Sequence, residues 1–304
     1  MDIDPGFARA LNAVLMLIIL MISVGVLLSL SSRRSAYARA DRFSLRVRLP
    51  YGTEETRDSV AHQTRVRGIA TAMTMLVTVL ILSPLLLTPL ATSPTFQIVV
   101  ITSVLLAVGF VSAIVQVRER LFHPAPNATR IARVRTLHAG DYLDPIRRLL
   151  PGALTIAAAL AVAALLLAWR RTPPQVDSAF ATTALFAGAL TAFALIAAPL
   201  FERQILAQPQ PASDTLELAW DDALRATALG TLRLTVALAA WMTFALAVGA
   251  MWLSSDVLFS SFAAQLPTWG MIALQFVYPS TGRRLRTELY PDWLRQRLTQ
   301  GTPA

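Results

Sequence analysis

The chain contains neither cysteine nor lysine, and each absence removes a class of function. Without cysteine it can form no disulfide, no thiolate metal site and no cysteine nucleophile. Without lysine, all 27 basic residues are arginine, which is typical of strong GC codon bias and predicts a GC-rich bacterial source. Arginine by itself is therefore no sign of selection for bidentate ligand recognition in this chain.

Charged side chains are also scarce for a chain of this length. Only 15% of the 304 residues are charged, 55% are hydrophobic, and the mean hydropathy is +0.55. That is more apolar surface than a soluble domain of this size normally buries. The composition predicts an all-α transmembrane helix bundle in which residues 1–304 form a single polytopic membrane domain.

Apolar runs long enough to cross a bilayer recur along the chain. A helix needs about 20 apolar residues to cross the hydrocarbon, and by that criterion we expect about seven spans. They lie near residues 11–31, 69–91, 98–117, 150–169, 179–200, 234–253 and 257–277. We expect the first to be a retained span and not a signal peptide, because Asp2 and Asp4 precede it and no small-residue cleavage site follows it.

The arginines in the connections predict the orientation. The connection between spans one and two contains nine arginines, and that between spans three and four contains seven. The connections on the other side contain only Arg170 and Arg171. Because arginine-rich loops stay in the cytoplasm, we expect the N-terminus outside and the C-terminus, with a basic tail at residues 280–304, inside. The expected location is the bacterial cytoplasmic membrane.

The spans are expected to form three successive hairpins followed by a last helix. The three cytoplasmic loops share an order: a basic or mixed stretch, a break at proline or glycine, and an acidic-then-basic run before the return helix. Two explanations remain open. The hairpins could be internal repeats, as in many carriers, or positive loops could produce this pattern without any duplication.

The third loop contains the most distinctive stretch, at residues 214–228. It is predicted to be an amphipathic helix with Asp214 as its cap and with Leu216, Trp220 and Leu224 at every fourth position. One interpretation is that this helix lies along the arginine-rich loops and neutralises them. The other is that it docks a cytoplasmic protein, with Trp220 as the anchor. The candidate docking residues are Trp220, Asp221, Asp222 and Leu224.

The tail combines apolar and basic residues. Between positions 283 and 298, Leu285, Leu289 and Trp293 share one helix face and arginines occupy the rest, although Pro291 is expected to interrupt the helix. This pattern predicts contact with anionic lipids at the cytoplasmic face. Nucleic acid is not an expected partner, because the arginines follow the membrane topology and form no separate basic domain.

The middles of the seven predicted spans contain no ionisable residue. Such residues usually mark ion or proton pathways, so coupling to protons or sodium has no evident carrier here. The remaining candidates for a pore or a helix break are neutral: Gln265, Pro267, Thr268 and Gly270. This segment could interrupt span seven and expose carbonyls to a cavity, or it could be a simple kink.

No constellation of residues predicts an enzyme. The three histidines, His62, His123 and His138, lie in loops without metal-ligand spacing. The pair Asp221 and Asp222 lacks the second acidic cluster that a magnesium-diphosphate site would need. The chain also has no phosphate-binding loop and no nucleophile-elbow motif. We therefore expect no catalytic centre, no metal and no cofactor.

The spans are rich in alanine and leucine, and the third loop contains the stretch Ala219-Trp220-Asp221-Asp222-Ala223-Leu224-Arg225. With the exclusive use of arginine, these features resemble uncharacterised integral membrane proteins of actinobacteria. The resemblance implies a membrane location and carries no activity.

Two functions fit these expectations. The protein could be the membrane subunit of a transporter driven by a separate cytoplasmic ATPase, since it has neither a nucleotide site nor a coupling carboxylate of its own. It could instead be a non-transporting membrane scaffold or a sensor-like partner protein.

Overall fold

The fold is built from helices throughout the part of the chain that the computed structural model describes. That part comprises residues 4–93, 95–118, 137–173, 176–210, 212, 214–252, 257–278, 289–291 and 293–295. The all-α fold class predicted from the composition is confirmed.

Nine α-helices and two 3₁₀ turns follow one another in these ranges. The helices are α1 Pro5–Ser31, α2 Arg33–Val47, α3 Glu54–Leu82, α4 Phe96–Arg118, α5 Ala139–Tyr142, α6 Pro145–Arg171, α7 Ser178–Ala207, α8 Thr215–Trp252 and α9 Val257–Val277. The 3₁₀ turns, Ser83–Leu87 and Pro89–Thr92, lie between α3 and α4.

Polar side chains cap the starts of several helices. The Asp4 carboxylate accepts a hydrogen bond from the Gly6 amide at the start of α1 (3.1 Å). The Asp177 carboxylate accepts one from the Phe180 amide at the start of α7 (2.9 Å). The Asp214 carboxylate accepts hydrogen bonds from the amides of Leu216 and Glu217 at 2.8 and 2.7 Å, as its predicted role as a helix cap requires. These contacts satisfy amides that have no partner within a helix.

Among the described residues, six helical segments are long and apolar enough to cross a membrane, which supports a multi-pass membrane protein. They are Pro5–Leu30, Glu54–Leu87, Phe96–Arg118, Pro145–Arg171, Ser178–Ala207 and Thr215–Trp252. Helix α9 covers the seventh predicted segment with 21 residues. That it crosses the membrane stays a prediction.

The second predicted span, residues 69–91, is not one α-helix. Helix α3 ends at Leu82, and the chain continues in the two 3₁₀ turns. Pro84 and Pro89 lie at the start of these turns. Proline has no amide hydrogen and cannot continue the hydrogen bonding of an α-helix, so the α-helix ends just before Pro84 and the chain continues in 3₁₀ turns.

Helix α8 forms the centre of the bundle. It packs against α4, α6, α7 and α9, and most of its side chains are buried. The predicted sixth span and the predicted amphipathic helix at residues 214–228 form this single helix of 38 residues, which is about 57 Å long at 1.5 Å per residue. No strong helix breaker separates the two segments, so the helix continues from one into the other.

The two ends of the bundle differ in composition. At one end, α2, the turn at residues 48–53, α5 and residues 214–228 of α8 pack together, and we call this assembly the arginine-rich cap. Residues 289–295 join it where they are described: the Tyr290 hydroxyl donates to the Val47 carbonyl at 2.6 Å, and Leu289 is buried. At the opposite end, the Asn12 amide donates to the Ala91 carbonyl at 2.8 Å.

Candidate functional site

Trp220 lies at the centre of the arginine-rich cap. Its side chain is fully buried, and its ring stacks on that of Tyr51, with 5.2 Å between centroids and 1° between the planes. Its indole N–H donates to the Pro50 carbonyl at 3.0 Å, and the Phe43 ring lies 6.0 Å away. Trp220 therefore joins α8 to α2 and to the turn after it.

The two acids beside Trp220 are engaged within the protein. The Asp222 side chain is fully buried and accepts hydrogen bonds from the Tyr142 hydroxyl (2.9 Å) and from the Gln210 amide (2.8 Å). Asp221 forms an ion pair with Arg225 at 2.7 Å and also accepts from Gln210 at 2.9 Å. These bonds join the start of α8 to α5 and to the segment after α7.

Arg225 also closes the end of α7. Its guanidinium donates to the carbonyls of Ile205, Gln208 and Pro209 at 3.2, 2.9 and 3.3 Å. The last carbonyls of a helix have no partner within the helix and attract a cation. Arg225 thus stabilises the end of α7, and Asp221 balances the charge of Arg225.

Tyr142 has a pKa above its ordinary value. Burial is the larger cause, and the neighbouring Asp222 carboxylate raises the pKa further. The pKa of Tyr51 is raised in the same way, by burial first and then by Asp41. Both hydroxyls therefore remain neutral hydrogen-bond donors at physiological pH.

In the structure Trp220 and its neighbours are packed within the cap, and docking of a partner by these residues stays a prediction. Trp220, Asp222 and Leu224 are 0%, 0% and 6% exposed, and Asp221 is held in its ion pair with Arg225. In the alternative interpretation this helix lies along both arginine-rich loops and neutralises them. Its contacts to Pro50 and Tyr51 agree with a position along the first loop, whereas Asp221 pairs with Arg225 of its own helix. A partner that approaches the cap meets other residues first.

The candidate segment in span seven lies inside a continuous helix. Helix α9 runs through Pro267 without interruption. The Trp241 indole N–H donates to the Leu266 carbonyl at 3.0 Å. Gly270 allows this contact, because a Cβ atom there would lie 1.8 Å from the Trp241 ring. The segment is thus a packing contact between α8 and α9 in the structure, with Gln265 and Thr268 exposed, and a pore role stays a prediction.

Of the tail, which is predicted to contact anionic lipids, the structure describes residues 289–291 and 293–295. Leu289 packs inside the cap and is 5% exposed, whereas Trp293 is 43% exposed. Residues 279–288 and 296–304, which include Leu285 and most of the tail arginines, lie outside the described residues, as does His123 in the second loop. Lipid contact by the tail stays a prediction.

A cavity of about 500 Å³ lies between α2 and the neighbouring ends of α1, α3, α4 and α8. Four arginines line it, Arg39, Arg42 and Arg46 from α2 and Arg67 from α3, together with several threonines and glutamines. Among the described residues, no carboxylate lines it. Ligand sites in proteins commonly have volumes of about 300 to 1,000 Å³ and combine an apolar lining with a few polar groups.

Two arginines of this cavity donate hydrogen bonds to hydroxyl groups. The Arg39 guanidinium donates to the Ser29 hydroxyl at 2.8 Å, and that of Arg67 donates to the Thr231 hydroxyl at 3.0 Å. Among the described residues, none of the four forms an ion pair with a carboxylate. Within the described part of the chain, no carboxylate therefore balances the positive charge of these four arginines.

Sequence reasoning used these arginines only to orient the chain. A signal was nevertheless present, because Arg39, Arg42 and Arg46 have the spacing of one helix stripe. The approach of Arg67 and of α4 and α8 to that stripe depends on packing between distant segments.

Comparison of the chain with protein-family models, with curated proteins and with solved structures gave no match.

Proposed function

We propose that this protein is the membrane subunit of a transporter that a separate cytoplasmic ATPase drives. The observation that carries the proposal is the cavity at the arginine-rich end, which four long helices and α2 enclose. Binding sites in helical membrane proteins occur between spans in this way. The sequence supplies no nucleotide-binding motif and no mid-span carboxylate, so the energy would come from another protein.

The proposal includes an orientation and a location. All seven predicted segments would cross the bacterial cytoplasmic membrane, with the N-terminus outside and the arginine-rich cap inside. The arginine counts support this orientation. Contacts within the structure add that the first loop, α5, the start of α8 and the described part of the tail share one end of the bundle.

The ATPase would contact the exposed outer surface of the cap. Exposed acids occur next to the cap at the start of α3, where Glu54 and Asp58 lie beside Arg34 of α2 and Glu55 is also exposed. Trp220 is unsuitable for testing such a contact, because its replacement would disturb the packing of the cap. Exposed acids can be changed with little effect on folding.

The test is purification of the tagged protein in mild detergent after crosslinking in cells, followed by mass spectrometry of stoichiometric partners. We expect an ATPase in the wild-type sample and its loss in the variant Glu54→Lys/Glu55→Lys. The control is Arg170→Glu/Arg171→Glu, which reverses two charges at the opposite end of the bundle. A chain that purifies alone, or with the same partners in all samples but no ATPase, would overturn the proposal.

A second candidate is a non-transporting scaffold or a sensor-like partner protein. The observation that favours it is the dense internal bonding of the cap, in which Trp220 and Asp222 connect three separate segments. Such a cap would present a fixed surface to another protein. Recovery of a stoichiometric partner that is not an ATPase would favour this candidate.

A further inference from the structure

Helix α2 directs one stripe of arginines toward the cavity. Arg39, Arg42 and Arg46 line it from positions i, i+3 and i+7, and Arg67 lines it from α3. Like charges at such spacings on a helix repel one another. A ligand with concentrated negative charge would relieve that repulsion.

On the other face of α2, an arginine of α3 has an acidic partner within the protein. There Asp41 forms an ion pair with Arg57 at 2.8 Å and accepts a hydrogen bond from the Tyr51 hydroxyl at 3.2 Å. The acid of α2 is thus placed away from the cavity. The two faces of α2 therefore differ in charge balance, and only the face toward the cavity lacks acids.

The cavity also has an apolar wall. Val26 of α1 and Val108 and Val115 of α4 line it, and these residues belong to segments that can cross a membrane. Between the two walls, Gln63 faces the same space, and its side-chain oxygen has no hydrogen-bond partner among the described residues. A ligand with an anionic head, hydroxyl groups and an apolar tail matches all three features.

We propose that this cavity binds a phosphate group, and that the group is the headgroup phosphate of an anionic phospholipid from the cytoplasmic leaflet. Guanidinium groups bind phosphate oxygens through charge-assisted hydrogen bonds, often two at a time. The acyl chains would lie along the valine wall. The inference rests on the proposed function in one respect, the orientation that places the arginine-rich cap and this cavity at the cytoplasmic side. It does not require that the protein transports the bound lipid.

The test is native mass spectrometry of the purified full-length protein with phosphatidylglycerol or phosphatidylcholine added. The test variant is Arg42→Gln/Arg46→Gln, which changes two exposed side chains of the cavity. The matched control is Arg33→Gln/Arg34→Gln, which removes the same charge from exposed positions of the same helix outside the cavity. Equal unfolding midpoints of the two variants would show that both are folded.

We expect wild-type protein to prefer phosphatidylglycerol, and the test variant to bind it at least about tenfold more weakly, because two charge-assisted contacts are lost. The control should bind like the wild type. Binding to the wild type should also weaken at high salt, since charge pairs near a surface are screened. Equal losses in both variants, or no preference for phosphatidylglycerol, would overturn the proposal.

Soluble ions distinguish the two sources of phosphate. Titration calorimetry with inorganic phosphate and with glycerol 3-phosphate should give much weaker binding than phosphatidylglycerol, because neither contacts the valine wall. Binding of inorganic phosphate as tight as that of the lipid, lost in the test variant, would keep the phosphate site and overturn its assignment to a lipid. Lipid binding without a co-purifying ATPase would contradict the proposed transport function and leave this inference intact.

Discussion

Single side chains of the cap join segments that are far apart in the chain. Trp220 reaches Pro50 across 170 positions, Asp222 reaches Tyr142 across 80, and Tyr290 reaches Val47 across 243. The hydrogen bonds of Asp222 and Tyr290 are buried and that of Trp220 is partly buried, and a buried polar group that loses its partner destabilises the fold. At this scale the predictions concern stability.

Replacement of Trp220 by alanine should destabilise the cap strongly. The variant loses a fully buried ring, the stacking on Tyr51 and the bond to Pro50, and such truncations cost about 3 to 5 kcal/mol. Thermal unfolding of the purified protein measures the effect. The matched control is Trp269→Ala, because that ring is 68% exposed and its loss should matter little. An unchanged unfolding temperature for Trp220→Ala would contradict the packing described here.

Alkaline pH should destabilise the protein through Tyr142 and Tyr51. The pKa of each hydroxyl is higher in the folded protein than in the unfolded chain. This contribution is therefore complete below the unfolded pKa of about 10, and it falls by about 1.4 kcal/mol per pH unit for each tyrosine as the pH rises toward the folded pKa. Because the chain has no lysine, few other groups titrate there.

Unfolding measured at pH 8, 10 and 11 checks this expectation. The Tyr142→Phe variant should be less stable at pH 8, because Asp222 loses a donor, and should lose less stability between pH 10 and 11 than the wild type. If the free energy of unfolding fell equally with pH in the wild type and in Tyr142→Phe, Tyr142 would ionise normally in the folded state, and the expectation would be wrong.

Helices α4 and α8 approach each other closely at a glycine of α4. A Cβ atom at Gly109 of α4 would lie 1.8 Å from the Thr235 hydroxyl of α8. Small residues allow such close packing between membrane helices. Alanines of α8 that are fully buried or nearly so, such as Ala237, Ala240 and Ala247, extend this kind of contact along the helix.

The variant Gly109→Ala should separate α4 from α8 and cost about 1 to 3 kcal/mol. Adding Thr235→Ala should recover part of the loss, because it removes the hydroxyl that the new methyl group meets. Gly25→Ala is the control, since a Cβ atom there would meet nothing within 4 Å. Thermal unfolding of the three variants measures these effects, and equal stability of Gly109→Ala and Gly25→Ala would contradict the close approach.

Helices could be located from the sequence more accurately than their ends and their connections. Apolar runs identified the six membrane-length helices because a bilayer crossing needs a long run. The α-helix of the second span was expected to extend to residue 91, although Pro84 ends it. The amphipathic helix at residues 214–228 and span six were predicted as separate helices, although residues 229–233 contain no proline and Gly230 does not interrupt the helix.

At the scale of the whole molecule, the arginine-rich cap occupies one end of the bundle, and the cavity lined by four arginines lies at that end. The sequence predicted an arginine-rich face, because arginine counts need no knowledge of packing. It could not predict that Trp220 is buried, because an amphipathic helix with one apolar face can cover its own protein or another. The cavity was missed since it requires α1, α2, α3, α4 and α8 to meet.

The most direct test of the orientation, on which both proposals depend, is cysteine labelling in intact cells. The chain has no cysteine, so single substitutions can be labelled without background by a reagent that does not cross the membrane. We expect labelling of S93C, Q175C and S255C from outside, and labelling of S59C, N127C and S213C only after the cells are opened. Labelling of the second group in intact cells, with protection of the first, would place the arginine-rich cap outside and contradict both the transporter proposal and the lipid site.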